Sequence, residues 1–464
     1  MKLSHCLKAI ALCLAITMLD TKLKAQSHEH LRIEQEYMAK AKENIEKYRK
    51  GDCLIKLMDK NGMPLKNIEV RINQTSQDFL FGNLVFELAH FGNADTTGIY
   101  KFKENFKALF NYAILPFYWA SYESHEGKPK WQNIQAALDW CLQNGITCKG
   151  HNIGWTHISG TPSWFLSLPK DEAWNLYRAR IYNLVGGFKK NINIWDVVNE
   201  PINTVPMDLV INNNTTNTDE RIGEGQRYDV SGISLSQTLP WVEKSFNWAH
   251  EANPHGTFIL NEFNLISKPE TRLKFYKFLE MLKKDHVPIG GIGIQAHEPR
   301  EMWYSPVEFN KTLNQLSKLN LPIHITEFIP QSSGKDITGG WRTGKWTEEA
   351  QADYAEQFYT LAFGNPTVVS INWWGLSDRN IWLQGGGLLD KNYNPKPVYD
   401  RLKSLIKGTW MTKNLRLKTN NAGIIQFRGY YGQYKLMVIK SDGTQKIYNI
   451  HLAKKGTATW KFEI

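Results

Sequence analysis

The hydrophobic positions in the middle of the chain form short, continuous runs rich in β-branched residues, each followed by a loop and a longer amphipathic stretch. Such runs are typical of parallel strands that are buried on both faces. They predict eight strands, over residues 80–86, 111–119, 146–155, 192–200, 257–264, 289–297, 321–328 and 368–376. Helical spacing predicts intervening helices, among them 131–143, 171–186, 268–284, 306–319 and 348–363. This alternation predicts an α/β fold, a closed (β/α)8 TIM barrel.

The two ends of the chain follow a different pattern. Residues 29–50 are charged and periodic, which predicts a helix, and residues 54–58 and 68–72 predict two strands joined through a turn. Four more strands are predicted near the C-terminus, at 423–427, 434–439, 445–451 and 458–463. We therefore expect a helix with a small β unit over 26–80, a barrel over 81–408 and a β-rich segment over 409–464. The two terminal β segments can pack together as one accessory sandwich.

The first 25 residues have the pattern of a signal peptide. Lys2, His5 and Lys8 precede an apolar stretch over residues 9–19, which is too short to span a bilayer, and Ala25 is a plausible last residue before cleavage. No other segment is long and apolar enough to predict a membrane span. We expect an exported protein, periplasmic or extracellular, and a monomer.

Charge and cysteine content narrow the range of partners. The net charge of +11 falls to about +8 without the signal peptide, because that segment carries four lysines and one aspartate. The remaining excess is spread along the chain without a basic block interleaved with aromatics, so we expect no nucleic-acid partner. Three cysteines remain, Cys53, Cys141 and Cys148, with no C-x-x-C spacing, which argues against a disulfide framework or a zinc site. Cys141 and Cys148 either pair or, as we favour, are buried small residues; no metal or cofactor is expected.

Polar side chains collect at the carboxyl ends of the predicted strands, the edge at which parallel barrels place their functional groups. These ends carry His151, Asn199 with Glu200, Asn261 with Glu262, Gln295 with His297, Glu327, and Trp373 with Trp374. Glu200 and Glu327 both end buried runs, so we expect two carboxylates to face one cleft. Glycosidic-bond cleavage with retention uses two carboxyl groups about 5–5.5 Å apart, one to protonate the leaving oxygen and one to attack the anomeric carbon.

The neighbours of the two glutamates suggest separate roles. Asn199 can bind a sugar hydroxyl next to the reacting carbon, which suits Glu200 as the acid/base with a raised pKa, whereas Glu327 suits the nucleophile that stays ionised. A single strand-end glutamate is more often a salt-bridged structural residue. Two of them within this strand pattern favour catalysis.

Several further side chains are expected in the same cleft. His297 is expected beside Glu327, and His151 and Trp155 close another strand end. Trp374 and Trp382 are expected to stack on sugar faces, the alternative being packing under the barrel rim. The predicted substrate-binding set is His151, Trp155, Asn199, Gln295, His297, Trp374, Trp382, Trp119 and Tyr118.

Ordered motifs make the chain similar to the family 10 glycoside hydrolases, the endo-β-1,4-xylanase family, from about residue 81 to 405. The motifs are G-H-N-I-G-W at 150–155, T-P-S-W-F at 161–165, W-D-V-V-N-E at 195–200, G-I-G-I-Q-A-H at 291–297, I-T-E-F at 325–328, W-W-G-L-S-D at 373–378 followed by Trp382, and G-L-L-D-K-N-Y-N-P-K-P-V-Y at 387–399. The resemblance implies a retaining mechanism with Glu200 as acid/base and Glu327 as nucleophile. It also implies that the subsites next to the scissile bond are lined by His151, Asn199, Gln295, His297, Trp374 and Trp382.

The second predicted strand departs from the family pattern. Family members carry a Glu-Asn pair there, followed by a Lys just before a Trp, and these hold sugars on the non-reducing side. Here residues 110–119 read F-N-Y-A-I-L-P-F-Y-W, so the pair has no counterpart and Tyr118 stands where the Lys would be. Thr156 also replaces the family's second His, with His157 one step on. The chemistry is expected to be intact and the recognition of the glycone sugars to be altered.

Three functional hypotheses remain open at this point. The first is a secreted retaining endo-glycosidase acting on β-1,4-xylan or a xylan-like polysaccharide. The second is a glycosidase acting on another or a substituted β-glycan, which the altered second strand favours. The third, from a different class, is a catalytically weak carbohydrate-binding protein, against which the presence of both glutamates argues.

Overall fold

The computed structural model describes residues 28–90, 96–213, 232–339, 341–379, 381–440, 442–456 and 458–464. The predicted signal peptide lies outside these residues. Residues 214–231 also lie outside the described ranges. They belong to the long connection that follows the strand ending at Glu200, and they include most of the Asn/Thr-rich patch at 212–218. Within the described ranges, no helix has both the length and the apolar character needed to cross a membrane.

The chain begins with a helix and two strands that precede the barrel. Helix α1 spans residues 28–48, and the strands are β1 (Lys50–Met58) and β2 (Glu69–Gln77). Alternating exposure along β1 and β2 buries one face of each strand, as the alternation of their polar and apolar residues requires. These two strands lie outside the barrel sheet.

Eight parallel strands close into one barrel, which confirms the predicted TIM-barrel fold. They are β3 (Leu80–Leu84), β4 (Tyr112–Pro116), β5 (Thr147–Gly154), β6 (Ile192–Asn199), β7 (Thr257–Glu262), β8 (Gly291–Ile294), β9 (Ile323–Phe328) and β10 (Val368–Trp373). Each strand pairs with its sequence neighbour, and β10 pairs with β3 to close the ring. Several predicted strands extend a few residues beyond the observed ladder: those predicted over 257–264 and 289–297 end at Glu262 and Ile294.

Helices surround the barrel between its strands. They are α2 (Phe86–His90), α3 (Thr96–Leu109), α4 (Trp119–Tyr122), α5 (Trp131–Gln143), α6 (Lys170–Ile181), α7 (Met207–Asn213), α8 (Leu235–Ala252), α9 (Pro269–Lys284), α10 (Pro306–Ser317), α11 (Glu348–Gly364) and α12 (Pro397–Ser404). Local chemistry sets their starts: Ser305 and Thr347 accept backbone N–H groups at the N-termini of α10 and α11, and α9, α10 and α12 begin with proline.

The C-terminal segment forms two small sheets together with the N-terminal strands. Its strands are β11 (Leu415–Lys418), β12 (Ile424–Tyr430), β13 (Gly432–Ile439), β14 (Gln445–Leu452) and β15 (Thr459–Glu463). The sheet orders are β12-β1-β15 and β11-β2-β13-β14. Ile55, Ile72, Ile425 and Leu436 belong to a separate apolar core between them. The two ends of the chain therefore build one accessory unit.

Arg49 ties this accessory unit and α1 to the barrel. Its guanidinium donates hydrogen bonds to the carbonyls of Phe363 (2.6 Å) and Val368 (2.8 Å), near the end of α11, and lies over the rings of Phe79 and Phe363. Cations at helix C-termini offset the exposed carbonyls there. The three cysteines, Cys53, Cys141 and Cys148, are buried free thiols, so the pairing alternative does not hold.

Candidate active site

Two glutamates at the C-terminal mouth of the barrel form the centre of the site. Glu327 lies in β9, and Glu200 follows β6 with a left-handed backbone, φ 59°. Ala296, between Gln295 and His297, also has a positive φ of 58°. Non-glycine residues in this region cost about 1–3 kcal/mol and concentrate at functional sites. The two neighbours of Ala296 contact the two glutamates: Gln295 donates to Glu200, and His297 donates to Glu327.

Glu200 is surrounded by neutral hydrogen-bond donors. Its Oε1 accepts from Gln295 Nε2 (2.8 Å) and Asn199 Nδ2 (3.2 Å), and its Oε2 accepts from Trp155 Nε1 (2.9 Å). Burial raises the pKa of Glu200 to about 7, helped by the negative charge of Glu327 and opposed by the Gln295 and Trp155 hydrogen bonds. This carboxyl group can therefore hold its proton at mildly acidic to neutral pH.

Glu327 is surrounded by basic groups. Its Oε2 accepts a hydrogen bond from His297 Nε2 (2.9 Å), and its Oε1 accepts from Asn261 Nδ2 (2.7 Å) and lies 4.0 Å from His151 Nε2. Burial alone would raise the pKa of Glu327, but the His297 hydrogen bond and the positive charges of His151, His297 and Lys149 outweigh it, so the pKa lies below its ordinary value. Glu327 is therefore suited to remain ionised where Glu200 is protonated.

Two asparagines link the glutamates. Asn261 Nδ2 donates both to Glu327 Oε1 and to Asn199 Oδ1 (2.8 Å), and Asn199 in turn donates to Glu200. Thr326 Oγ1 donates to Asn261 Oδ1 (2.6 Å), which fixes the orientation of that amide. The chain Glu200–Asn199–Asn261–Glu327 is thus continuous, and the pKa of Glu200 responds to the charge of Glu327.

His151 is oriented by a buried ion pair behind it. Its Nδ1 donates to Asp196 Oδ2 (2.7 Å), and the same oxygen lies 2.6 Å from Lys149 Nζ. Burial opposes ionisation of Asp196, but the charge of Lys149 and the contact with His151 hold its pKa below the ordinary value. Gly150 allows this packing, because a Cβ there would lie 2.1 Å from the ring of Trp195.

Aromatic rings line the cleft around these polar groups. Trp374 and Tyr118 each pack edge-on to His151, with centroids at 5.1 and 5.3 Å. Trp382 is 45% exposed and packs edge-on to His297, with centroids 5.3 Å apart, so its ring is accessible for stacking. The structure therefore brings together eight of the nine predicted substrate-binding residues: His151, Trp155, Asn199, Gln295, His297, Trp374, Trp382 and Tyr118.

Trp119 lies apart from this group, and its assignment to the substrate-binding set stays a prediction. The chain turns into α4 after Tyr118, and Trp119 is only 2% exposed. Its Nε1 donates to Glu123 (2.8 Å), its ring packs on Phe165 with centroids 4.6 Å apart, and the Arg180 guanidinium lies over it. It stabilises the connection between barrel strands.

Most of the apolar residues of the altered second strand are buried inside the protein. Ile114, Leu115 and Phe117 are fully buried and do not line the cleft. Phe117 N donates to His151 O (2.7 Å), and the ring of Tyr118 packs against the rings of His151 and Trp155. The side chain of Tyr118 is therefore in contact with the predicted substrate-binding residues.

Sequence reasoning missed several contributors to the site. Asn261 and Glu262 were noted at a strand end but not assigned a role, and Asp196 and Lys149 were overlooked because they lie within buried strands. Glu262 accepts hydrogen bonds from Ile202 N and Asn203 Nδ2, both at 2.8 Å, and so holds the turn that follows Glu200. A polar residue inside an otherwise apolar strand was the signal that could have identified Asp196 and Lys149.

No group of three or more His, Cys, Asp or Glu side chains arranged to hold a metal ion occurs among the residues that the structure describes.

Two buried carboxyl groups of opposite pKa shift at the C-terminal mouth of a closed parallel barrel are the equipment that glycoside hydrolysis requires. The comparison with known families agrees: the family described as Glycosyl hydrolase family 10 matches residues 85–405. The chain belongs to this family and is a glycoside hydrolase similar to endo-1,4-β-xylanases.

Individual relatives match between about two thirds and nine tenths of the chain. The chain is 29% identical to a β-1,4-xylanase of Dictyoglomus thermophilum over 317 residues, 65% of this chain and 83% of that protein. It is 26% identical to the anti-sigma-I factor RsgI6 of Acetivibrio thermocellus over 430 residues, 91% of this chain but only 49% of that protein. The crystal structure of xylanase 10B from Thermotoga petrophila RKU-1 in complex with xylobiose shares the fold, with a TM-score of 0.56 and 23% identity over 72% of this chain and 95% of that one.

Proposed function

We propose that the chain is an exported, monomeric endo-glycosidase that hydrolyses β-1,4-xylan or a xylan-like polysaccharide with retention of configuration. The observation that carries this proposal is the opposite pKa shift of two linked carboxyl groups: Glu200 is raised to about 7 and Glu327 is lowered. Over the interval between these pKa values, one group is a proton donor and the other an anion, which is the starting state of glycoside hydrolysis by two carboxyl groups. Retention is inferred from the resemblance to family 10.

In the first step, a Glu327 oxygen attacks the anomeric carbon while Glu200 gives its proton to the departing glycosidic oxygen. The bond to the leaving sugar breaks, the aglycone leaves with its new hydroxyl group, and a glycosyl ester on Glu327 remains. His297 and Asn261, each bonded to a different oxygen of Glu327, hold the attacking carboxylate in position.

In the second step, Glu200 acts as a base. Esterification removes the negative charge of Glu327, one of the causes that raise the pKa of Glu200, so the pKa falls and the ionised form is favoured. Glu200 takes a proton from a water molecule whose oxygen attacks the anomeric carbon, and Glu327 is released. Two inversions give net retention.

The mechanistic test uses Glu200→Ala and an aryl β-xyloside with a good leaving group. The first step then needs little acid assistance, so the glycosyl-enzyme should accumulate and added azide should restore turnover with a β-glycosyl azide product. Glu298→Ala is the matched control, because Glu298 is also buried but accepts hydrogen bonds from Ser267 and Ile266 N, away from Glu200. Absence of azide rescue in a folded Glu200→Ala enzyme contradicts the assignment.

The substrate is tested with a panel of soluble β-glycans and reducing-end detection. A second candidate function, hydrolysis of another or a substituted β-glycan, is favoured by one observation: Tyr118 contacts His151 and Trp155 where a charged residue is expected. Fastest cleavage of unsubstituted xylan supports the first candidate, whereas fastest cleavage of a different or substituted glycan supports the second. If no panel member is cleaved by the folded enzyme, both are wrong.

A further inference from the structure

The positive charge of the chain is concentrated in its C-terminal β segment. Residues 409–464 contain ten lysines and arginines and two acidic residues, Asp442 and Glu463, a balance of +8. Residues 26–408 contain equal numbers of basic and acidic side chains, 42 of each. The excess is therefore not spread along the chain, as we expected from the sequence. It belongs to the accessory unit, and the rest of the chain after the predicted signal peptide is neutral overall.

Four cations lie on the outer face of the sheet β11-β2-β13-β14. Along β2 and β13, buried residues alternate with exposed or half-exposed ones, so one face packs on the accessory core and the other faces solvent. On β11 the exposed residues are both cations. We call these four solvent-facing cations the basic face: Arg71, Arg416, Lys418 and Lys435.

The strand register brings the cations of the basic face close together. Arg416 pairs directly with Arg71, and Lys435 pairs with Asn73, the next outward position along β2. The Cβ atoms of directly paired residues lie about 5 Å apart, and like charges at such positions destabilise a sheet. The fold therefore gains nothing from the Arg416–Arg71 pair, whereas an anion bound beside them would be stabilised by both guanidinium groups.

The charge of the basic face is only partly neutralised within the protein. Glu69 accepts a hydrogen bond from Arg71 Nε (2.8 Å), and this bond, together with the charges of Arg416 and Lys418, holds the pKa of Glu69 below its ordinary value. In the part of the chain that the structure describes, the side chains of Arg416, Lys418 and Lys435 form neither a hydrogen bond nor a close ion pair. One carboxylate thus serves four cations.

The side chains between these cations suit a sugar chain. Asn73 and Asn449 flank Lys435 on the same face, and Met437 lies between Arg71 and Ile447, which is 49% exposed. Amide groups can hydrogen-bond hydroxyl groups, apolar side chains can cover the C–H face of a sugar ring, and a guanidinium group matches a carboxylate in bidentate geometry. Duplex DNA carries one charge per about 1.7 Å and favours a denser cluster of cations.

The accessory unit joins the barrel at the amino-terminal ends of its strands, the end opposite the catalytic mouth. Arg49 donates to the carbonyl of Val368, the first residue of β10, and the Trp410 ring packs on Phe81, near the start of β3, with centroids 5.9 Å apart. Glu200 and Glu327 lie at the carboxyl ends of β6 and β9. A short sugar on the basic face therefore does not reach the catalytic carboxylates, whereas a long polymer can contact both regions.

We propose that the basic face is a second binding site, outside the catalytic cleft, for a polysaccharide that carries uronate carboxylates. The inference goes beyond the proposed function and takes from it only the class of partner, a polysaccharide. Its consequence is that acidic polymer is held on the enzyme while the barrel cleaves it. Hydrolysis of short neutral oligosaccharides does not depend on the basic face.

The binding test is affinity electrophoresis of the whole protein in gels that contain soluble glucuronoxylan, or the same polymer after its carboxyl groups have been reduced to alcohols. Glu327→Gln serves as the background, so that the polymer is not cleaved during the run. We expect the acidic polymer to retard the protein, the reduced polymer to retard it much less, and added salt to weaken the retardation.

A double variant, Arg416→Gln with Lys435→Gln, should weaken binding of the acidic polymer about fivefold, because exposed ion pairs are individually weak. Lys277→Gln with Lys318→Gln is the matched control, since it removes the same charge from exposed positions on and beside barrel helices and should bind as the parent does. With Glu327 restored, the first double variant should cleave short linear xylo-oligosaccharides at the wild-type rate and show a raised KM for glucuronoxylan.

The outcomes separate this inference from the proposed function. Equal binding of the acidic and the reduced polymer, or undiminished binding by the variant of the basic face, overturns the inference and leaves the proposed function standing. Binding of duplex DNA as tightly as glucuronoxylan at equal charge concentration also overturns it, because the face would then not select a sugar acid. Binding of glucuronoxylan through the basic face by a folded enzyme that cleaves no β-glycan supports the inference and overturns the proposed function.

Discussion

Replacing Glu200 with Gln should stabilise the protein at alkaline pH while abolishing its acid catalysis. Glutamine has nearly the shape of a protonated glutamate, so the substitution removes the ability to ionise with little change in packing. The pKa of Glu200 rises from 4.5 to about 7 in the folded protein because the group is buried. At 1.36 kcal/mol per pKa unit, keeping this group ionised in the folded state costs about 3 kcal/mol.

The direction of the pH effect follows from proton binding. The folded state holds the Glu200 proton more tightly than the unfolded state, so this stabilisation is fully present below pH 4.5 and is lost as the pH rises through about 7. Glu200→Gln should therefore have nearly the wild-type free energy of unfolding at pH 4.5 and exceed it by about 3 kcal/mol at pH 8.5. For a chain of this length, that corresponds to a rise in Tm of about 3 °C.

The assay is urea and thermal unfolding of both proteins at several pH values from 4.5 to 8.5, with Glu327→Gln as the opposed control. Because the pKa of Glu327 is lowered, its ionised form stabilises the folded state, and that contribution is lost only as the pH falls through the lowered pKa. Glu327→Gln should therefore be less stable than wild type across this range, and the deficit should shrink only below pH 4.5. A Glu200→Gln protein that is no more stable than wild type at pH 8.5 would refute the reasoning.

Three further predictions follow from single contacts. Trp155→Phe removes a hydrogen-bond donor that favours ionised Glu200. The alkaline limb of the kcat/KM profile, expected near pH 7 in the wild type from the pKa of Glu200, should therefore move up by about one unit, and an unchanged limb argues against Glu200 as the titrating acid. Asn261→Asp places a second carboxylate 2.7 Å from Glu327, so the pKa of Glu327 should rise and the acidic limb of the kcat/KM profile should move to higher pH. The value of kcat should fall about 100-fold, and stopped assays across pH 3–8 test both effects. Lys396→Met leaves the carboxylate and carbonyls around its buried ammonium unpaired and should cost about 3 kcal/mol by urea unfolding, whereas an unchanged midpoint would show that this ion is not structural.

The fold was predictable because its signal is periodic and repeated. Eight apolar runs separated by amphipathic stretches leave few architectures, and the strand ends then place Glu200 and Glu327 at one mouth. Strand limits were less predictable, since the residues that leave the ladder at the mouth have the same apolar or aromatic character as those within it. Trp119 is an example of an uncertain strand limit. Nothing in its local sequence distinguishes a cleft residue from one that begins α4 and packs against the ring of Phe165.

The buried polar groups behind the site were the least predictable part. Asp196 and Lys149 form an ion pair within the barrel interior, and their charges act on His151 and Glu327 from behind. A single polar residue in a buried strand can be satisfied in many ways, and only the register between β5 and β6 shows which partner it has. Their role could not be read from spacing alone.

The pKa values of the two glutamates shift in opposite directions because of the side chains around them, not because of their own local sequence. Glu200 meets the neutral donors Gln295, Asn199 and Trp155, whereas Glu327 meets His297 and, more distantly, His151. All of these partners come from strands β5 to β9 or from residues directly after them.

A second group of residues, Leu84, Tyr118, Trp374 and Trp382, comes instead from the ends of β3, β4 and β10 and the loops that follow them. The groups that set the two pKa values and this second group therefore occupy different arcs of the same barrel. A change such as Tyr118 in the second strand can alter which sugars bind while the proton donor and the nucleophile keep their partners. This separation explains how the chain can depart from its family in recognition without departing from it in chemistry.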